Sequence, residues 1–286
     1  MTHPPDLRAP RVRRAGQGLA ENGHWEWTAQ RSILVYGVRI GLRTNRPEAL
    51  ERFADYLPPL WKPASTSVVD RLFSLRIGNS THALFEDDEM AVKSRSLKIV
   101  FEDFETRLKI YVAEMARRRV FIHAGAVGWQ GKAIIIPGRS MSGKTSLVKE
   151  LVRAGATYYS DEYAVLDTQG RAHPYPQPLA IRTRGSFKQK KRRIEELGGA
   201  TGTKPLPVGM VIVSRYKAGA RWRPGELSAG QGALELLANA IPARRKPEVV
   251  IPTIQQAVSA AVILKGLRGE AKETVKRILE QCESFR

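Results

Sequence analysis

The 286-residue sequence contains one cysteine, Cys282. A single thiol cannot form an internal disulfide and does not supply a thiolate metal cluster. No apolar run approaches the roughly 18 residues that span a bilayer, and residues 1–30 lack the apolar segment of a secretory signal. We therefore expect a cytoplasmic protein with no membrane span, in which residues 1–30 form a flexible basic tail.

Acidic residues are also scarce. The sequence has 28 Asp and Glu against 47 Lys and Arg, which gives a formal net charge of +19. Such a charge attracts nucleotides, acidic proteins or peptides, nucleic acids and anionic membrane surfaces, and it does not choose among them.

Residues 31–119 show mixed strand and helix patterns and no chemical motif. The sequence predicts a strand at 33–40, a short helix at 47–57, a strand at 68–77 and a helix at 108–116. We interpret this region as a small α+β N-terminal module, and residues 120–286 as a separate domain.

The pattern is clearer after residue 120. Gln130-Gly131 separates two apolar runs, His123–Trp129 and Lys132–Pro137, and therefore predicts a hairpin. A helix is expected next, then two short strands and, further on, one buried strand and three helices; these lie at 144–154, 156–160, 163–166, 208–214, 228–240, 254–264 and 272–282. This order predicts an α/β fold with a mixed sheet.

The segment from Gly138 to Thr145 matches the phosphate-loop pattern G-x-x-x-x-G-K-[ST] between a predicted strand and a predicted helix. Its backbone N–H groups can converge on phosphate oxygens, with Lys144 on the terminal phosphates and the Thr145 hydroxyl on Mg²⁺. The alternative, a glycine turn before a capped helix, leaves Gly143-Lys144-Thr145 unexplained. The predicted nucleotide-binding residues are Gly138, Arg139, Ser140, Met141, Ser142, Gly143, Lys144, Thr145 and Ser146.

An acidic pair, Asp161-Glu162, follows the next predicted strand. One carboxylate there can hold Mg²⁺ and another can accept a proton from an attacking hydroxyl; the alternative is a polar turn. The hairpin places His123 beside the phosphate strand, where it could tune the base, although a single histidine among five carries little weight.

The stretch from His123 to Asp167 resembles the catalytic domain of HPr kinase/phosphorylase and its relatives, including the kinases of peptide-modification gene clusters such as lasso-peptide precursor kinases. The shared features are a histidine that opens a hairpin, the phosphate loop, a helix that ends in Arg153-Ala154-Gly155-Ala156, and the acidic pair. The resemblance implies a fold like that of phosphoenolpyruvate carboxykinase and transfer of phosphate from ATP to a serine.

By the same resemblance, the catalytic residues are Lys144, His123, Asp161 and Glu162, and the metal ligands are Thr145 and Asp161. Glu162 stands where the family has its proton-accepting aspartate, so which acid is the base stays open. The family's E-x-R-G segment has its nearest match at residues 182–185, with Arg182 in place of the glutamate. This difference favours the kinase-like relatives and argues against reverse dephosphorylation.

Seven cations crowd into residues 182–193, with Glu195-Glu196 after them. Three interpretations stay open: a solvated helix face with local ion pairs, a lid or docking segment for an acidic peptide, and a nucleic-acid-binding patch. The scarcity of aromatic residues among these cations disfavours the nucleic-acid patch.

The first functional hypothesis is an ATP- and Mg²⁺-dependent kinase that acts on a protein or peptide hydroxyl. The alternatives are a nucleotide-gated nucleic-acid-binding or regulatory P-loop ATPase and a small-molecule kinase. The acceptor, the nucleotide preference and whether the protein forms a homo-oligomer are left open.

Overall fold

The computed structural model describes residues 13–14, 26–138, 142–182 and 189–282. The chain divides into two compact units, Met1–Arg117 and Arg118–Arg286. No helix within the described residues is long and apolar enough to cross a membrane.

The first unit contains a six-stranded sheet in the order β4-β2-β3-β6-β7-β8, and β1 pairs with β5. Its helix α2 packs phenylalanines against the sheet, and Phe101 and Phe104 are fully buried. Burying a side chain of this size contributes about 2–3 kcal/mol. The elements are β1 (Arg13–Arg14), β2 (Ala29–Val35), β3 (Val38–Thr44), α1 (Pro47–Arg52), β4 (Lys62–Ala64), β5 (Val68–Val69), β6 (Arg71–Ile77), β7 (His82–Glu86), β8 (Glu89–Ser94) and α2 (Leu97–Met115).

The second unit is built on a mixed sheet with helices on both faces. Helices α3 and α6 pack on one face, and α4 and α5 on the other. The elements are β9 (Arg119–Trp129), β10 (Lys132–Pro137), α3 (Lys144–Arg153), β11 (Thr157–Ser160), β12 (Tyr163–Asp167), β13 (Arg171–His173), β14 (Leu179–Arg182), β15 (Gln189–Arg192), β16 (Leu206–Tyr216), β17 (Gly225–Glu226), α4 (Ala229–Leu237), α5 (Pro247–Val258), β18 (Val262–Arg268) and α6 (Ala271–Cys282).

The predicted α/β class with a mixed sheet is confirmed. β10, β16 and β18 run parallel to one another, whereas β9 is antiparallel to β10, β11 and β12. The C-terminal ends of β10, β16 and β18 therefore lie at the same edge of the sheet.

Local sequence explains the two best-defined connections. Gln130 and Gly131 have φ of 47° and 76°, which gives the β9–β10 hairpin the left-handed turn that suits strand twist. Helix α4 begins at a capping box, in which Ser228 accepts from the Gln231 N–H and Gln231 accepts from the Ser228 N–H.

Three sequence predictions were wrong in detail. The predicted strand at 33–40 is a hairpin, because Tyr36 and Gly37 (φ 49° and 80°) turn the chain between β2 and β3. Helix α2 of the N-terminal module runs from Leu97 to Met115 and is longer than the predicted helix at 108–116. The predicted helix at 254–264 is the end of α5 followed by strand β18, because pairing with β16 decides the conformation of an apolar run that fits either structure.

The basic stretch lies partly outside the described residues, since 183–188 are not described. The part that is described is a strand, β15, and a 3₁₀ turn at Glu195–Leu197 rather than an α-helix. Arg192 pairs with Glu196 at 2.9 Å and Arg193 with Glu195 at 3.7 Å, so local ion pairs do form at this end.

Candidate active site

The predicted phosphate loop, Gly138–Thr145, joins β10 to α3, and the structure describes Gly138 and residues 142–145 of it. The Gly138 N–H donates to the His123 carbonyl at 3.3 Å, which holds the start of the loop on β9. Gly143 is the N-cap of α3 with φ of 86°, and no side chain caps this helix. The amides of the first turn and the positive end of the helix dipole are therefore available to an anion.

Lys144 is the first residue of α3 and is only 7% exposed. Its Nζ donates to the Gly138 carbonyl at 2.6 Å, so the ammonium reaches back to the start of the loop. Burial lowers the pKa of Lys144 to about 8, and the carboxylates of Asp161 and Glu162 offset part of that effect. A phosphate beside this buried ammonium would favour its charged form.

Strand β9 connects the phosphate loop to the acidic pair. β10 pairs with one side of β9 and ends with Pro137 opposite Ala124. β11 and β12 pair with the other side of β9, and the turn between them lies at the level of Ala124. The Ala124 N–H donates to the Glu162 carbonyl at 3.2 Å. The predicted hairpin therefore brings the loop and the acidic pair to neighbouring positions.

Asp161 contacts the phosphate-loop helix directly. The Thr145 hydroxyl donates to Asp161 Oδ2 at 3.2 Å, and the Tyr158 hydroxyl lies 3.2 Å from Asp161 Oδ1 while it donates to the Gln177 carbonyl at 2.7 Å. Burial raises the pKa of Asp161 to about 6, against the opposing effect of these hydroxyls. The two predicted metal ligands are thus in contact.

The buried Ser160 fixes the backbone of the acidic turn. Its Oγ accepts from the Glu162 N–H at 3.1 Å and from the Tyr163 N–H at 3.0 Å. Because both amides are held by one hydroxyl, the two carboxylates stand on a short, fixed turn. The Glu162 carboxylate also acts on the Lys144 ammonium through its charge.

His123 lies on β9 directly opposite Tyr163, with the two rings 6.2 Å apart. Burial lowers the pKa of His123 to about 4, and the Lys144 charge adds to this effect. The imidazole is therefore neutral at pH 7. It stands next to the start of the phosphate loop and to the acidic turn.

Arg268 is a residue of this site that sequence reasoning missed. It ends β18, is 3% exposed, and its Nη2 donates to the Gly143 carbonyl at 3.1 Å, with the Ser142 carbonyl at 3.5 Å. A Cβ on Gly143 would overlap this guanidinium, and the φ of 86° also disfavours a side chain, so glycine suits this position. Burial lowers the pKa of Arg268, and Glu270 partly opposes this. The prediction of a helix at 254–264 hid this position, because only a strand at 262–268 ends next to the phosphate loop.

Of the remaining predicted nucleotide-binding residues, two are described by the structure and three are not. Ser142 is half-buried and Ser146 is exposed in the first turn of α3. Arg139, Ser140 and Met141 lie outside the described residues. The described members come together at one edge of the sheet: Gly138, Ser142, Gly143, Lys144, Thr145, His123, Asp161 and Glu162.

The described residues fit a magnesium-bound nucleoside triphosphate. Ser142 Oγ is buried without a hydrogen-bond partner within the described part of the chain, next to the uncapped amides of α3. The described residues contain no cluster of three or more His, Cys, Asp or Glu that could hold a metal. Thr145 and Asp161 are hard oxygen ligands, and Mg²⁺ commonly takes its other ligands from phosphate and water.

No protein-family model matches the chain. The chain is similar to the HPr kinase/phosphorylase of Mycoplasmopsis pulmonis (strain UAB CTIP), with 25% identity over 195 residues, and the match covers 63% of this chain and 59% of that protein. The chain therefore matches about three fifths of the length of this relative. The comparison confirms the resemblance to HPr kinase/phosphorylase.

Among solved structures, the Hpr(Ser) kinase/phosphatase from Coxiella burnetii matches with 13% identity and a TM-score of 0.34. The match covers 57% of this chain and 98% of that one. A TM-score of this size does not establish a common fold.

Proposed function

We propose that residues 118–286 form a kinase that transfers the γ-phosphate of ATP to a hydroxyl of a protein or peptide. One observation carries the proposal: an uncapped helix N-terminus, a buried lysine and a carboxylate pair meet at one sheet edge. Phosphoryl transfer depends mostly on such positioning and charge stabilisation. The similarity to an HPr kinase/phosphorylase supports phosphotransfer to a protein, and the sequence resemblance from His123 to Asp167 implies that the acceptor is a serine.

The roles follow from the contacts. The amides of the loop and of the first turn of α3 hold phosphate oxygens, and Lys144 neutralises negative charge on them. Thr145 and Asp161 hold Mg²⁺, which when bound screens the charge of the phosphates. Because Asp161 already contacts Thr145 and Tyr158, we assign the proton acceptor to Glu162.

The neutral His123 has a supporting role. Its carbonyl anchors Gly138 and its ring lies beside the acidic turn, so it helps to hold the two halves of the site in register. A charged imidazole there would repel the Lys144 ammonium, and its lowered pKa avoids this repulsion.

The experiment is transfer of labelled phosphate from ATP to serine peptides and to the products of neighbouring genes, followed by mass spectrometry. Lys144→Ala is expected to lower the transfer rate at least about 100-fold, and Glu162→Gln by a similar factor. Lys149→Ala, a lysine of the same helix, is the control and should retain activity.

Unchanged transfer in Lys144→Ala would contradict the proposal. Phosphate found on a metabolite rather than on a peptide would instead support the alternative of a small-molecule kinase.

A further inference from the structure

A basic cavity lies beyond the end of β16, in the loop that connects it to β17. It has a volume of about 450 Å³. Lys217, Arg221 and Arg223 line it, and Leu267 of β18 gives it an apolar wall. We call this the basic cavity.

Its cations lack partners within the part of the chain that the structure describes. The side chains of Lys217, Arg221 and Arg223 are exposed and make no hydrogen bond or ion pair there. Many other surface cations do have partners, such as Arg171, which contacts Asp167 at 2.9 Å. Three unpaired cations around one cavity repel one another, and an anionic ligand would relieve this repulsion.

The loop that carries these cations is held in place. Trp222 is only 3% exposed and anchors the loop beneath its surface. The Lys217 N–H donates to the Arg268 carbonyl at 2.9 Å, and Gly269 packs so closely on Ala220 that no Cβ would fit. The backbone of this loop is therefore fixed before a ligand arrives, which lowers the entropy cost of binding.

Arg268 joins the basic cavity to the phosphate loop. Its carbonyl accepts a hydrogen bond from the Lys217 N–H, and its guanidinium donates one to the Gly143 carbonyl. The strands that precede both loops, β10 and β16, are parallel neighbours. A ligand in the cavity therefore lies at the same sheet edge as the phosphate loop.

We propose that the basic cavity docks acidic residues near the phosphorylated hydroxyl of a peptide or protein substrate. This inference rests on the proposed function and adds a substrate class to it. The apolar wall at Leu267 suits a peptide side chain between the acidic residues. A single-stranded nucleic acid would need stacking platforms, and Tyr216 is the only aromatic among the exposed large hydrophobic residues of the described chain.

The test is equilibrium binding, measured by fluorescence anisotropy without nucleotide on the 286-residue protein. The probes are a short labelled peptide with one serine flanked by glutamates and the same peptide with glutamines. The cavity variant is Lys217→Gln/Arg221→Gln/Arg223→Gln. The control variant, Arg244→Gln/Lys272→Gln/Lys276→Gln, removes the same charge from exposed positions elsewhere in the second unit.

The wild type should bind the glutamate peptide more tightly than the glutamine peptide. The cavity variant should bind the glutamate peptide about tenfold more weakly, as expected for three exposed ion pairs, while the control variant changes little. In the phosphotransfer assay the cavity variant should raise the KM for the glutamate peptide and leave the KM for ATP unchanged.

Equal binding of the two peptides, or an equal loss in the control variant, would overturn the docking proposal. So would a raised KM for ATP alone, or tighter cavity-dependent binding of a single-stranded oligonucleotide. Peptide binding is measured without catalysis, so the two proposals can fail independently. Failure of phosphotransfer would refute the proposed function, whereas the anisotropy measurement alone decides whether the basic cavity binds the acidic peptide.

Discussion

Replacing Arg268 by methionine tests whether the end of β18 positions the phosphate loop. The guanidinium donates to the carbonyls of Gly143 at 3.1 Å and Gly269 at 3.0 Å. Two hydrogen bonds from a charged group typically contribute about 3–6 kcal/mol. Burial of the charge costs much of this, because Arg268 Nε has no partner within the described residues.

We therefore expect Arg268→Met to lower the free energy of unfolding by about 2 kcal/mol, which is a decrease in Tm of about 4–8 °C for a unit of this size. Differential scanning calorimetry measures this change. Methionine fills a similar volume, so the effect reports the lost hydrogen bonds rather than a cavity.

The functional consequence separates positioning from stability. Without the guanidinium, the Gly143 carbonyl at the start of α3 loses one hydrogen bond and keeps the one from the Leu147 N–H at 3.3 Å, so we expect about tenfold weaker ATP binding with a smaller change in kcat. Arg268→Lys should restore only part of this affinity, since one ammonium cannot reproduce the guanidinium fork. Arg277→Met is the control. Unchanged ATP affinity in folded Arg268→Met would refute the positioning role.

Two further predictions concern the same unit. Burial raises the pKa of Asp167, but the hydrogen bonds with His173 and Arg171 outweigh this effect and hold the pKa down to about 2. The stabilisation by ionised Asp167 is present above the unfolded pKa of about 4 and is lost as the pH falls toward 2. In urea unfolding, the wild type should therefore be about 2 kcal/mol more stable than Asp167→Asn at pH 6, and this difference should shrink between pH 4 and pH 2. A difference that stays constant with pH would contradict the ion-pair account. Gly143→Ala places a Cβ against Arg268 at a positive φ, so we expect a loss of at least about 2 kcal/mol and impaired ATP binding, and a variant as stable as the wild type would show that the N-cap tolerates a side chain.

Local sequence was sufficient to predict the elements that bring the Gly138–Thr145 segment and the acidic pair together. The Gln130-Gly131 turn set the β9–β10 hairpin, and the apolar stripe of α3 set the helix, with Lys144 as its first residue as predicted. Since the hairpin and the short strand after the helix both pair along β9, the contact between Thr145 and Asp161 follows from elements that are close in sequence.

Arg268 could not be predicted in the same way. It meets Gly143 across a separation of 125 residues. The apolar run before it was interpreted as helix, and only pairing with β16 makes it a strand. Contacts set by such tertiary pairing leave no periodicity in the local sequence.

The basic cavity was only partly foreseen. The sequence shows four cations from Arg215 to Arg223, but a count of charges does not reveal which of them lack partners. Burial of Trp222 and the close approach of Gly269 to Ala220 turn that charged segment into a fixed loop.

The most direct measurement is calorimetric titration of the purified protein with ATP in the presence of magnesium. We predict saturable binding that weakens at least about tenfold in Lys144→Ala, because one buried charged contact to phosphate is lost, and that persists in Lys149→Ala. An absence of measurable affinity for any nucleoside triphosphate with magnesium would contradict the assignment of Gly138–Thr145 as a phosphate site, and with it the proposed kinase.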